Sequence, residues 1–202
     1  MSKAMEENYF HEMYRDSDDP WGFATRWYEE RKYAMTLAAL SRRRYRRAFE
    51  AGCSIGVFTE KLAARCDEVL AVDLSPKAID TARQRLVALA DRVTLEAGDF
   101  VEQWPAGEFD LIVLSEVLYY LDETQLDTVI EQATDALTDD GELVAVHWRW
   151  PVPEYPSTGD QVHARLRDSD LLGAASYLDD DFRLDVFTRA KRPTVAQYEG
   201  LV

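Results

Sequence analysis

The sequence is poor in positive charge. Its 23 lysines and arginines face 38 aspartates and glutamates, giving a formal net charge of −15. That balance disfavours non-specific DNA or RNA binding, which rests on cationic contacts to phosphate, and it disfavours anionic membrane surfaces as well. The one basic concentration is Arg42-Arg43-Arg44 with Arg46 and Arg47. It reads as a solvated helix end favoured by the helix dipole, with a phosphate site as the alternative. Cysteine is scarce: Cys53 and Cys66 are too few for a disulfide framework. Three histidines without metal-ligand spacing point away from a metal site. No apolar run approaches the roughly 18 residues of a transmembrane helix. The charged opening stretch 1–10 lacks the apolar core of a secretory signal, so a cytoplasmic protein is expected.

What the chain does have is a core. At 202 residues, 47% hydrophobic and 11% aromatic, it is long enough for one domain, spanning 1–202. From residue 46 onward apolar runs alternate with helical patterns, as in a parallel α/β sheet. Strands are expected near 47–51, 69–73, 93–97, 109–114 and 142–148, and helices near 57–66, 76–89 and 122–137. Ser75-Pro76 starts the second helix, and Asp139-Asp140-Gly141 turns the chain into the fifth strand. Residues 149–159 read as a loop, 160–167 as a short helix, and 173–178 with 182–188 as a hairpin about Asp179-Asp180-Asp181. The tail after Arg192 reads as loose. Residues 1–45 form an arm ahead of this core (46–192). A short helix over 9–14 is broken by Asp16 to Pro20, and a second, capped by Thr25, runs to about Leu40. Such an arm is either a lid or ordinary packing.

The organising stretch is Glu50-Ala51-Gly52-Cys53-Ser54-Ile55-Gly56. A β-prone run ends in an acid, a glycine turn follows, and a helix begins. Gly52 and Gly56 allow a tight turn and close approach to a ligand. Val69-Leu70-Ala71-Val72 ends in Asp73, about 20 positions beyond the first glycine, where an acid meets ribose hydroxyls. The middle glycine of a dinucleotide fingerprint is missing, and Cys53 and Ser54 crowd the place of a diphosphate. Glu50 repels phosphate but suits a cationic amino or sulfonium group. S-adenosylmethionine (SAM) carries both cations and no phosphate. A nicotinamide-dependent oxidoreductase and a non-catalytic SAM-binding module remain as rivals, separated by NADH binding and by turnover.

Glu50-x-Gly52-x-x-x-Gly56 with Asp73 resembles the first two SAM motifs of class I methyltransferases. The chain more closely resembles the nodulation protein NodS family of N-methyltransferases. The resemblance runs through Asp19-Pro20-Trp21, Trp27-Tyr28-Glu29-x-x-Lys32-Tyr33, Gly52 to Gly56, Ser115-Glu116-Val117-Leu118-Tyr119-Tyr120-Leu121 and Val146-His147-Trp148. It implies a Rossmann-like α/β fold with a seven-stranded, mostly parallel sheet, a C-terminal antiparallel hairpin and helices on both faces. SAM is the implied cofactor, S-adenosylhomocysteine (SAH) the product, and no metal is expected. Cofactor contacts are expected at Trp21, Arg31, Glu50, Gly52, Cys53, Gly56, Asp73, Leu74, Asp99, Phe100 and Ser115, with Arg31 on the SAM carboxylate and Asp99 on the adenine amino group. Glu116 and Tyr120 face the transfer pocket. His147 reads either as a base or as a structural histidine. Substrate contacts are expected at Tyr28, Tyr119, Trp148, Asp160 and His163; Lys32 is a further arm candidate without an assigned role. Of the adjacent tyrosines, at most one is expected to reach the reacting centre. The family acts on the amine of a chitooligosaccharide, so a small-molecule amine, with an amino sugar or other glycan in first place, is the implied acceptor. N- and O-methylation both remain open.

Overall fold

The computed structural model describes residue 5 and residues 7–202. Seven strands form one sheet in the order β3-β2-β1-β4-β5-β7-β6. They are β1 (Tyr45–Ala51), β2 (Cys66–Asp73), β3 (Val93–Ala97), β4 (Phe109–Ser115), β5 (Leu137–Trp148), β6 (Leu172–Leu178) and β7 (Phe182–Thr188). Strands β1 to β5 pair in parallel, and β7 runs antiparallel between β5 and β6. This is the class I methyltransferase sheet that the resemblance implies.

The central strands are apolar throughout because both faces are covered. Along β4, Ile112 and Leu114 join Phe49 against α5 (Glu123–Ala136) and α6 (Gly159–Arg167). Leu111 and Val113 face the other way, toward α2 (Trp27–Ala39), α3 (Val57–Ala63) and α4 (Pro76–Arg85). The period of two that alternates side chains across a strand thus builds two cores. Ser75 caps α4 with Pro76 in its first turn, and Asp122 with Gln125 forms a capping box on α5. No helix among the described residues is long and apolar enough to cross a membrane.

Several expected boundaries move. The helix at 57 stops at Ala63 because Cys66 already pairs with Tyr45 at the start of β2. The helix at 76 ends at Arg85, followed by a short 3-10 turn over Val87–Leu89. Asp139-Asp140-Gly141 is a bulge inside β5, since Leu137 already pairs with Phe109 and the register shifts before Glu142. Thr25 is not a cap: Arg26 precedes α2 and offers no side-chain bond. The tail carries a last helical turn, α7 (Val195–Tyr198), and Arg192 is tied to the buried Glu142. The basic run is spent on structure: Arg42 pairs with Asp110 and Asp140, Arg44 with Asp67, and Arg46 with Asp110.

Candidate active site

The chain leaves β1 toward β2 and β3, then returns to β4 on the other side. Open α/β sheets bind ligands at the carboxyl ends beside such a reversal. There the turn after β1 is left-handed at Gly52 (φ 70°), Ser54 (φ 51°) and Gly56 (φ 78°). A Cβ on Gly52 would lie 2.3 Å from Val117 Cγ1, so only glycine lets the two turns touch. A Cβ on Gly56 would lie 2.9 Å from Leu86 Cδ1. Gly56 therefore serves the packing of α3 on α4 and does not line the cavity, contrary to its expected ligand role.

Above these ends lies a cavity of about 350 Å³, within the usual range for small-molecule sites. Strand ends β1 to β3 bring Glu50, Gly52, Cys53, Asp73, Leu74, Asp99 and Phe100 to it. β4 and the 3-10 turn after it (Leu118–Tyr120) bring Ser115, Glu116, Tyr119 and Tyr120, and β5 brings Trp148. The arm completes the wall with Phe10 and Tyr14 from α1 (Glu7–Asp16), Trp21 and Phe23 from the link, and Tyr28, Glu29, Lys32 and Tyr33 from α2.

Asp73 ties the turn together. Its Oδ2 accepts from Ser54 N at 2.8 Å and its Oδ1 from Ser75 N at 2.9 Å. Burial raises its carboxyl, and those two N–H bonds oppose the rise. Each oxygen keeps a lone pair for a further donor. Asp99 Oδ1 accepts from Val101 N at 2.8 Å, which leaves its other oxygen available. Glu50 is 3% exposed, and its Oε2 has no hydrogen bond of normal geometry among the described residues, although Thr59 faces the carboxyl. Burial pushes this carboxyl up to about 8. Cys53 is buried, and its thiol is pushed well up by burial, which fits a small packing residue rather than a nucleophile. A buried acid with one unpartnered oxygen thus lies beside an acid whose oxygens can each accept a further donor.

Glu116 has a left-handed backbone (φ 58°), a costly conformation for a residue with a Cβ. Three elements hold its carboxylate. Lys32 Nζ donates to Oε1 at 2.7 Å, while the Tyr119 hydroxyl and Trp148 N donate to Oε2 at 2.5 and 2.9 Å. Lys32 is 1% exposed and also pairs with Glu29 at 3.0 Å. Burial acts to lower its ammonium, and the two carboxylates more than offset this. Tyr119 and Tyr120 both line the cavity. They sit in a 3-10 turn, with Tyr155 stacked on Tyr119 and edge-on to Tyr120.

Four expected contacts lie elsewhere. Arg31 does not face the cavity; it donates to Asp179 Oδ2 and the Tyr177 hydroxyl, each at 2.6 Å, and fixes α2 to the β6–β7 hairpin. Asp160 faces Arg149 at 3.0 Å. His147 is 0% exposed because β7 lies beside β5 and α6 covers it. Its Nε2 accepts from Leu118 N at 3.2 Å, so Nδ1 carries the proton toward His163 Nε2 at 3.1 Å. His163, also buried, donates from Nδ1 to Asp185 at 2.6 Å. Burial drives His147 well below its ordinary value. Neither histidine lines the cavity, so the base role expected of His147 and the substrate contact expected of His163 are not met.

Sequence reasoning left several wall residues unassigned, among them Glu29, Lys32 and Tyr155. Glu29 and Lys32 were legible as an i,i+3 pair. Tyr155, in a loop with three prolines, gave no local signal.

Known proteins resemble this chain in sequence and fold. The family model described as nodulation protein S (NodS) matches residues 5–152. Nodulation protein S of Rhizobium tropici is 37% identical over 131 residues, covering 63% of this chain and 54% of that protein. The counterpart in Sinorhizobium fredii is 33% identical over 142 residues, covering 68% and 65%. The chain thus spans a little over half to about two thirds of the length of these relatives. The crystal structure of N-methyltransferase NodS from Bradyrhizobium japonicum WM9 in complex with S-adenosyl-L-homocysteine superimposes with a TM-score of 0.80 and 29% identity. That match covers 91% of this chain and 98% of that one. The family model covers well over half of the sequence, and the chain belongs to the NodS family.

Proposed function

We propose that this protein is a SAM-dependent methyltransferase that methylates a small-molecule amine, with an amino sugar or short glycan as the first acceptor class. The observation that carries this is the pairing, in one cavity, of the buried Glu50 carboxyl, whose Oε2 has no hydrogen-bond partner among the described residues, with the Asp73 carboxylate, whose oxygens keep lone pairs for further donors. SAM supplies an activated methyl group on a sulfonium. The chain's own residues do the rest. Asp73 takes the ribose hydroxyls, Asp99 and Phe100 flank the adenine, and Glu50 faces the cationic end. Glu116 and the aromatic walls of Tyr28, Tyr119, Tyr120 and Trp148 hold the acceptor and exclude water. The arm residues Trp21 and Tyr14 close over the cofactor.

An amine is favoured over a hydroxyl because carboxylates and aromatic faces suit a nitrogen that becomes cationic on methylation. A neutral hydroxyl must lose a proton, and His147 is not placed to take it. The membership in a family with an N-methyltransferase supports the same choice. The test is calorimetry with SAH, followed by a screen of amines, amino sugars and hydroxyl compounds that follows SAH release. Binding at micromolar strength with turnover of amines is expected. Absence of heat at high protein concentration overturns the assignment, and turnover of hydroxyl compounds alone overturns the choice of nitrogen.

A further inference from the structure

Tyr28 lines the cavity, and its buried hydroxyl has nothing to bond among the described residues, although its ring is well packed. Trp148 meets it edge-on at 5.0 Å, Phe182 at 6.1 Å, and Lys32 Nζ lies 5.1 Å from its centroid. Lys32 in turn holds Glu116, so Tyr28 and Glu116 flank the same ammonium. A buried polar atom left unbonded costs free energy, and at a cavity wall an ordered water or a ligand group supplies the missing bond.

We propose that Tyr28 is a specificity-determining residue that orients the acceptor nitrogen together with Glu116. The inference rests on the methyltransferase reading above. Lys32, Tyr119 and Trp148 together use three of the carboxylate's bonding positions, and Oε1 retains one. A neutral primary amine has two N–H donors and one lone pair. When one N–H donates to the Tyr28 oxygen and the other to Glu116 Oε1, the lone pair points away from both. It is then free to face the methyl group. As the N–C bond forms, the C–S bond breaks and its electron pair stays on sulfur. The positive charge passes from sulfur to nitrogen, so no proton moves in that step. The new ammonium remains beside the Glu116 carboxylate and loses its proton to solvent after release. A hydroxyl acceptor offers a single O–H and satisfies only one of the two positions. Burial raises the Tyr28 hydroxyl far above its ordinary value, so it remains neutral at every working pH.

The test is Tyr28→Phe, which keeps the ring and removes only the unpartnered oxygen. D-Glucosamine and n-butylamine serve as acceptor probes, with SAH release, SAH affinity and thermal stability measured in parent and variant. A loss of about tenfold in kcat/KM for the amines, with SAH affinity and melting temperature unchanged, is expected. Amine turnover within twofold of the parent overturns the inference and leaves the methyltransferase reading standing. A lowered melting temperature with weakened SAH binding also overturns it, since the hydroxyl is then structural. If the parent neither binds SAH nor turns over a probe, the methyltransferase reading fails first and takes the inference with it.

Discussion

Lys32 Nζ lies 2.7 Å from Glu116 Oε1, joining a helix of the N-terminal arm to the end of β4. The arm is therefore part of the site wall and not an appendage to it. Lys32 is 1% exposed and lies between two acids. Replacing it by methionine leaves Glu29 and Glu116 without their cation. Breaking one side of a buried pair costs about 3–5 kcal/mol, and the left-handed Glu116 loses one of its three tethers. Lys32→Met is expected to lower stability to that extent and to raise hydrogen exchange across α2. A denaturation midpoint equal to that of the parent, with unchanged exchange, means that the arm is held by its aromatic contacts alone.

Asp73 is expected to govern cofactor affinity. Its two oxygens already accept from Ser54 and Ser75, so Asp73→Ala loosens the turn as well as removing the proposed ribose contact. Asp73→Asn is the cleaner variant, since it retains one acceptor oxygen. Loss of charge-assisted bonds worth ~1.5–3 kcal/mol each predicts roughly 10- to 100-fold weaker SAH binding, with the fold retained. Isothermal titration measures this, and an unchanged dissociation constant reduces Asp73 to a turn-bracing acid.

Glu50 should report cofactor binding through protons. Burial raises its carboxyl to about 8, against about 4.3 in an unfolded chain. Between those values the folded state binds the extra proton. This contribution to stability is full below the unfolded value and is lost as pH rises through about 8. Parent minus Glu50→Gln stability should therefore fall with rising pH across that window. A cationic ligand favours the ionised carboxylate, so SAM binding near pH 7 is expected to release up to one proton, absent in Glu50→Gln. Titrations in buffers of differing ionisation enthalpy read the proton directly, and identical apparent enthalpies in all buffers contradict the prediction.

The sheet and half of the site were legible because they depend on local signals. Glu50, Gly52, Asp73 and Asp99 sit at strand ends, and strand ends follow from apolar runs and turns. The misassigned residues depend on what a neighbouring element covers. His147 occupies a strand end and reads as accessible, but β7 beside β5 and α6 above it bury the ring completely. Arg31 is on the cavity-facing helix yet turns to the hairpin, because Asp179 and Tyr177 are within reach only after the chain returns. Tyr28 and Lys32 were named from the sequence. Their importance rests on bonding partners, present for one and missing for the other, that a sequence does not display.

His147 yields the last prediction, the reverse of what its strand-end position alone implies. A general base facing the acceptor would make His147→Gln lose roughly 10²-fold or more in turnover, along with the limb of the pH–rate profile near 6.5. In the fold the ring is sealed, accepts from Leu118 N and donates toward His163. Gln retains an acceptor for Leu118 N, so turnover is expected to stay within about tenfold of the parent and the pH–rate profile to keep its shape. Stability is where the ring acts. Burial drives His147 well below the ordinary imidazole value, so the folded chain keeps it neutral while the unfolded chain takes a proton near 6.5. Below that pH the unfolded state binds more protons, and stability falls as pH falls. Glutamine does not titrate, so the acid-induced loss should be shallower in the variant, although the broken bond to His163 lowers stability at neutral pH by about 1–3 kcal/mol. Parallel denaturation curves at pH 5 and pH 8 decide the point. A variant that is inactive but equally acid-sensitive returns the histidine to the reacting centre.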